Sequence, residues 1–378
     1  PLESAMLPLL VLTSTALQQP PVLDALRRIE RGIFAADRSR DDLLRRVADK
    51  VAGGDALSRL APESYALQPG SAVAITGASD GIGRETAAFL ARAGYPVVLC
   101  ARDPDKGEAA RTYVATATDA KVAVVPLDLS SVSSVRAAIP AIVDAASVLG
   151  APLRGLVLNA GVWPTKKATT SDGMELGFQT CHVGHWQLTE GLLPTLCADL
   201  SEGEEARVVT VSSSAHALSD GLSLEDAAWE TRPWDSSAAY GASKLANLLH
   251  AQELAQRAAP SAGRLTSLAV HPGVVATSLF REFGPLSTPL PSLDGPALQA
   301  SPLSLVLKTS EEGSRTSLYA LLAPGLPSGS YLSDCALTDV SPAAKDPKAR
   351  RELWEWTARW LAEREPAESV AEPQDDDE

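Results

Sequence analysis

A net charge of −14 over 378 residues excludes nucleic acid and anionic membrane as the main partner, while 45% hydrophobic residues are ample for a core. Four cysteines (Cys100, Cys181, Cys197, Cys335) are scattered with neither metal-ligand spacing nor a disulfide framework, which points to a reducing compartment. No apolar run of the sequence reaches the ~20 residues of a membrane span, and the length accommodates two domains or one large α/β domain with extensions.

Met6 to Leu12 is apolar but short, broken by Pro8 and preceded by Glu3, so it does not read as a secretory signal. The sequence starts at Pro1 without an initiator Met, which leads us to expect a removed leader or a trimmed end. Residues 1–65 carry none of the signals of the fold that follows. Val22, Leu26, Ile29 and Ile33 recur at helical spacing, as do Leu43, Leu44, Val47 and Val51 ahead of Gly53-Gly54, and predict two short amphipathic helices. These either pack on the chain's own domain or form a docking arm for a partner protein.

Ala72 to Ile75 predicts a buried strand that ends at Thr76 and Gly77. Gly81 and Gly83 then open a helix running from Gly83 to Ala93 and stopped at Gly94. Strand, glycine turn and helix converge unpaired N–H groups and a positive dipole end on one point, which suits a dinucleotide pyrophosphate. Gly77, Ser79, Asp80, Gly81, Ile82 and Gly83 are the candidate contacts. The spacing is Thr-Gly-x-x-x-Gly-x-Gly, not Gly-x-Gly-x-x-Gly, and resembles the glycine motif of the short-chain dehydrogenase/reductase family.

From Ser71 onwards strand and helix alternate, the pattern of a doubly wound parallel sheet. Pro96 to Arg102 is the second strand; the residue ending such a strand meets the adenosine ribose, and Arg102 suits the 2′-phosphate of NADP through its two-pronged guanidinium. Lys121 to Leu127 is the third strand, and Asp128-Leu129 after it resembles the family's adenine-edge contact. Arg154 to Asn159 is the fourth, closing in Asn159-Ala160-Gly161, similar to the family's turn beneath the cofactor. A long helix is expected from about Ser171 through Leu200, and a fifth strand from Arg207 to Ser214 runs out into hydroxyls. Residues 264–270 form the sixth strand, leading into His271-Pro272-Gly273-Val-Val275-Ala-Thr277, which resembles the family's Pro-Gly-x-Val-x-Thr segment near the nicotinamide. Residues 283–306 are Pro-rich and apolar and predict an irregular lid. Leu332 to Cys335 is expected just after the last short strand, followed by a terminal amphipathic helix carrying Leu353, Trp356 and Trp360 and an acidic, disordered tail from Glu365.

Tyr240 and Lys244 stand four apart, so a helix presents them on one face. A phenol titrates too high to exchange protons readily near neutrality; a nearby ammonium and the positive nicotinamide of an oxidised cofactor both favour the phenolate. A serine at the end of the fifth strand (Ser212, Ser213 or Ser214) could donate to a substrate oxygen while Tyr240 transfers the proton, and the resemblance to the family implies the second of them, Ser213.

The resemblance spans residues 68–364. Thr76 to Thr86, Cys100 to Glu108, Ala239 to His250 and Tyr331 to Cys335 are most similar to the retinol-dehydrogenase-like branch, which includes the Tic32-like proteins of plastids; Ser278 to Glu282 points more faintly to protochlorophyllide reductases. It implies a single Rossmann-type doubly wound parallel sheet (residues 66–364) with helices on both faces, plus the helical extension and the tail (365–378). It implies NADP(H), held by the glycine turn, Arg102, Asp128, Leu129, Asn159, Ala160, Gly161, Tyr240, Lys244, Pro272, Gly273, Val275 and Thr277, and hydride exchange with a carbonyl or alcohol on a bulky apolar substrate. Ser213 would polarise the oxygen, Tyr240 act as acid and base, and Lys244 tune Tyr240 and bind ribose. One departure matters: the family writes Asn-His-x-Gly-His where this chain has Cys181-His-Val-Gly-His185. That Asn completes the family's catalytic tetrad by holding a relay water, and a thiol is a poor substitute. The rival reading is therefore a non-catalytic, nucleotide-holding subunit of a larger assembly, with residues 1–65 as its arm. The Tic32 likeness favours a plastid over a mitochondrion, with the cytoplasm as the other option.

Overall fold

Small and β-branched side chains let the central strands bury both faces, as a parallel sheet covered by helices requires. The computed structural model describes residues 56–116, 120–258, 264–275 and 307–364. The main sheet comprises β1 (Ala72–Thr76), β2 (Val97–Ala101), β3 (Val122–Pro126), β4 (Leu153–Leu158), β5 (Ala206–Val211), β6 (Leu265–His271), β9 (Tyr331–Ser333) and β10 (Ala336–Thr338). Their order is β10-β9-β6-β5-β4-β1-β2-β3. All neighbours are parallel except the edge hairpin β9–β10. A separate two-stranded parallel ribbon pairs β7 (Val274–Val275) with β8 (Leu307–Lys308).

The helices are α1 (Gly81–Arg92), α2 (Pro104–Ala115), α3 (Val132–Val148), α4 (Gly184–Leu196), α5 (Ser236–Ala258), α6 (Ser310–Leu322) and α7 (Pro347–Ala362). One face of the sheet packs against Val135 and Ile142 of α3, Leu188 and Leu192 of α4, Leu245 and Leu249 of α5, and Leu353 and Trp360 of α7. The other packs against Leu90 of α1, Val114 of α2 and Leu318 and Leu321 of α6, and takes in Leu57, Tyr65 and Leu67 ahead of β1. Ala66 N–H donates to Leu322 O at 2.8 Å and the Tyr95 hydroxyl donates to Leu67 O, so this short stretch is fastened to the domain. The expected doubly wound sheet with helices on both faces is what the chain builds. The chain leaves β3 through α3 and returns to β4 on the far side of β1. Crevices for ligands open at such a switch point, beyond the C-terminal strand ends.

Three expectations need correction. The first helix begins at Gly81, not Gly83, because the Asp80 carboxylate caps Gly81 N–H at 2.7 Å. The helix expected over Ser171 to Leu200 is interrupted. Residues 169 and 175 form a bridge, Glu175 caps the N–H of Phe178, and a short turn Leu176–Phe178 passes into a π-helical turn, Gln179–Val183, before α4. Leu332 and Ser333 lie inside β9, and Asp334-Cys335 form the turn of the β9–β10 hairpin. In α7 the deeply buried residues are Leu353, Trp354, Thr357, Trp360 and Leu361, with Trp356 at the margin of the core. The two N-terminal helices, the Pro-rich segment 283–306, residues 278–282, Thr277 and the tail lie outside the described residues.

Candidate active site

The glycine turn after β1 and the Asn159-Ala160-Gly161 turn after β4 meet at the switch point. Gly77 has φ +63°, and a Cβ on it would come within 2.9 Å of Ala160 Cα. A Cβ on Gly83 would sit 2.5 Å from both Asn159 Nδ2 and Gly77 O. Side chains are excluded here by backbone on both sides, which leaves an open cradle of N–H groups at the start of α1. That geometry fits a pyrophosphate. Asn159 Nδ2 donates to Thr76 O at 2.9 Å and to Gly77 O at 3.3 Å, tying the two turns together.

Beneath the cradle lies a buried polar chain. Thr76 Oγ1 accepts from Asn159 N (2.9 Å) and Ala160 N (3.0 Å) and lies 2.8 Å from His185 Nε2. His185 Nδ1 is 2.9 Å from the carbonyl of Cys181 in the π turn. Burial above all, and Lys244 and His250 in lesser measure, lower the His185 pKa to about 3 against the pull of the Cys181 carbonyl, so the ring is neutral.

Beside it the end of β5 and the N-terminal half of α5 bring Ser213, Tyr240 and Lys244 together. Lys244 is 3% exposed, and its Nζ donates to Val211 O at 3.0 Å and lies 5.6 Å from the Tyr240 ring centre. Asn247 Nδ2 shares the same carbonyl at 3.1 Å. Burial pushes the Tyr240 phenol up, with Cys181 adding to the rise and a hydrogen bond with the Ser213 side chain opposing it. Burial lowers Lys244, and Cys181 opposes that shift. Ser213 Oγ also accepts from Ala215 N at 3.1 Å, whereas Ser212 Oγ is turned away and donates to Lys244 O at 2.7 Å. Cys181 completes the group: a Cβ on Gly161 would lie 3.2 Å from Lys244 Nζ and 3.5 Å from Cys181 Sγ. The thiol itself donates to Val162 O at 3.6 Å.

Arg102 is exposed at the end of β2, and Asp103 next to it is occupied in capping α2 through Asp105 N and Lys106 N. Asp128 Oδ1 accepts from Ser130 N and Ser130 Oγ, which holds the turn after β3, and Leu129 is buried behind it. Pro272, Gly273 and Val275 follow β6, while Thr277 lies outside the described residues. Under Gly273 is an ion pair that sequence reasoning missed: Lys308 Nζ to Asp334 Oδ1, with both side chains nearly buried. Thr76 as a hub, His185 and Trp163 were also missed as site residues. Trp163 stacks on Tyr240 with ring centres 4.1 Å apart and planes 4° from parallel. The Cys-His-x-Gly-His spacing was a usable signal for His185, since it places the ring one turn beyond Cys181; nothing in the sequence pairs Lys308 with Asp334.

Comparison with known proteins shows the family. The short chain dehydrogenase family profile matches residues 71–285. Human retinol dehydrogenase 12 is 39% identical over 289 residues, 76% of this chain and 84% of that protein. The chloroplastic short-chain dehydrogenase TIC 32 B of Brassica napus is 33% identical over 291 residues, 75% of this chain and 87% of that one. The crystal structure of an uncharacterized protein from Mycobacterium paratuberculosis superposes with a TM-score of 0.61 at 32% identity, covering 80% of this chain and 97% of the other.

Proposed function

The chain belongs to the short-chain dehydrogenase family and is an oxidoreductase of that family, and on that footing we propose that it exchanges hydride between NADP(H) and a carbonyl or alcohol on a bulky apolar substrate. The observation that carries this reading is the convergence of Ser213, Tyr240 and Lys244 beside a cradle that only glycines can form.

The bound nicotinamide supplies or accepts the hydride. The glycine turn would hold the pyrophosphate, and Asn159, Ala160 and Gly161 would line the floor beneath the nicotinamide ribose. Lys244, already anchored to Val211 O, would direct its remaining N–H groups to the ribose hydroxyls. Arg102 would take the 2′-phosphate; the neighbouring acid that would favour a free ribose is committed to a helix cap. Ser213 would donate to the substrate oxygen. Tyr240, held protonated by burial, would give its proton to that oxygen during reduction; in the reverse direction the positive charge of the oxidised cofactor would lower its pKa enough for it to accept one.

The names of the relatives support an apolar alcohol or aldehyde as substrate, and the chloroplastic relative supports a plastid location. Among the described residues no helix is long and apolar enough to cross a membrane. Among the described residues Cys181 alone argues for the accessory-subunit reading, since a thiol is a weak hydrogen-bonding group. The test is NADPH oxidation with a panel of apolar aldehydes and ketones. Turnover abolished by Tyr240→Phe with NADPH affinity retained is the expected result; turnover that survives Tyr240→Phe would remove Tyr240 from the reaction.

A further inference from the structure

We propose that Trp163 is a specificity-determining residue of this site: stacked on Tyr240, it admits a terminal carbonyl to the phenol and excludes one flanked by two carbon substituents. The inference rests on the hydride-transfer reading above and adds a residue and a selection rule to it.

Trp163 lies two residues beyond the Asn159-Ala160-Gly161 turn, on the loop that leads away from the nucleotide cradle. Its indole lies flat on the phenol ring, 4.1 Å between centres and 4° from parallel. The arrangement is fastened at the far edge: Nε1 donates to Ser236 O at 3.2 Å and Ser236 Oγ at 3.1 Å, and Ser236 Oγ donates to Pro164 O at 2.6 Å. The loop after β4 is thereby buckled to the first turn of α5, the helix that carries Tyr240. The buckle prevents the indole from swinging aside, and the indole prevents the phenol ring from turning. Only 5% of Tyr240 remains exposed.

Two donors, Ser213 and Tyr240, fix the position of the substrate oxygen, and hydride must reach the carbonyl carbon from one side of the carbonyl plane. The two groups on that carbon then point to opposite sides of the C–O axis. In this proposal the indole, held against the phenol ring, takes one of those two sides, where a hydrogen would fit and a methyl group would not. Steric exclusion of one methyl group in a packed site is worth roughly 10- to 200-fold in kcat/KM.

The test compares decanal with 2-decanone, equal in carbon count, in NADPH-driven reduction by the wild type, Trp163→Ala and Trp163→Phe. The quantity read is the aldehyde-to-ketone ratio of kcat/KM. It should fall about tenfold or more in Trp163→Ala through a lower KM for the ketone, and by roughly threefold in Trp163→Phe, which keeps a smaller stacked ring. Calorimetric titration of the nucleotide-free protein with 1-decanol and 2-decanol gives a readout independent of turnover: the preference for the primary alcohol should shrink in the same order. Thermal melting identifies a variant that fails to fold, and Trp163→Phe then carries the comparison. An unchanged ratio in active, folded variants would overturn the role of Trp163 and leave the hydride-transfer reading standing. Absence of reduction of every carbonyl by the wild type would overturn both.

Discussion

Thr76 Oγ1 and His185 Nε2 lie 2.8 Å apart with both residues fully buried, and this contact joins three parts of the site. The carbonyl of Cys181 can only accept, so the hydrogen of the neutral His185 ring sits on Nδ1 and Nε2 is the acceptor. The Thr76 hydroxyl therefore donates to His185 while accepting from the N–H groups of Asn159 and Ala160. One hydroxyl thus sets the distance between the glycine turn, the Asn-Ala-Gly turn and the π turn that presents Cys181.

Thr76→Val keeps the shape and removes that hydroxyl, leaving the buried His185 ring nitrogen and two half-buried N–H groups without it. Each such orphan costs about 1–3 kcal/mol, and partial relaxation should bring the total to about 3 kcal/mol. Urea unfolding measures the loss, and NADPH titration should show weaker binding because the two turns are no longer tied through the hydroxyl. A variant within about 0.5 kcal/mol of wild type would show that the hub is dispensable.

Arg102 should make NADPH bind more tightly than NADH. A hydrogen bond to a charged group contributes about 1.5–3 kcal/mol, so the preference should be roughly 10- to 100-fold and should collapse in Arg102→Ala. Fluorescence titration of both nucleotides decides it. Equal affinities in the wild type would assign the 2′-phosphate to another group or to none.

The sheet was legible because its strands are short runs of Val, Ile, Leu and Ala bounded by turn residues, and the pairing of Tyr240 with Lys244 because four-residue spacing on a helix is a geometric statement; the choice of Ser213 among Ser212, Ser213 and Ser214 came from the family resemblance. The break in the helix around Cys181 was not legible. Residues 171–200 are apolar enough at helical spacing to read as continuous, and neither the local Glu175 cap on Phe178 N–H nor the π turn disturbs that pattern. The Lys308–Asp334 pair was hidden because its members are joined only through β8 and the hairpin turn. Nothing in the sequence marks the stacking of Trp163 on Tyr240, because the two residues are remote along the chain.

Four of the five buried histidines give the fold a pH limit. Burial lowers His182 well below its ordinary value, with His250 and His185 adding to the shift, and brings His185, His250 and His271 to about 3. The unfolded chain takes up these protons near pH 6.5 and the folded chain does not, so stability is full above about 6.5 and falls as pH drops towards 3. Each such group contributes about 1.4 kcal/mol per pH unit in that window. His250 packs against His182 and Trp354, so His250→Phe preserves an aromatic ring there. The variant should lose stability less steeply between pH 6.5 and 4.5, by about one proton's worth of slope in urea midpoints converted to free energy. Parallel slopes in the two proteins would show that His250 protonates in the folded state.

The family resemblance implies that Cys181 stands where an Asn would complete a catalytic tetrad, and the structure places its thiol beside Lys244 Nζ along the Gly161 backbone. Its backbone carbonyl is already taken by His185, and its Sγ donates to Val162 O, a long contact of 3.6 Å. A thiol is a weak donor and weak acceptor, whereas an Asn amide offers two donors and a strong acceptor for a relay water behind Lys244. Positioned acid–base groups contribute about 10²–10⁴-fold, and a residue that acts only through a water should contribute towards the lower end or below it. Cys181→Asn is therefore expected to raise kcat for carbonyl reduction about tenfold, with the affinity for NADPH unchanged because Lys244 stays anchored on Val211 O. Cys181→Ser, close to the thiol in size but a better hydrogen-bonding group, should fall between the two. The measurement is steady-state reduction of one aldehyde by wild type, both variants and Tyr240→Phe, with the solvent deuterium isotope effect on kcat as a check that proton transfer is the step affected. A wild type as fast as Cys181→Asn, with equal isotope effects, would mean that backbone carbonyls hold the relay and that the cysteine is a packing residue.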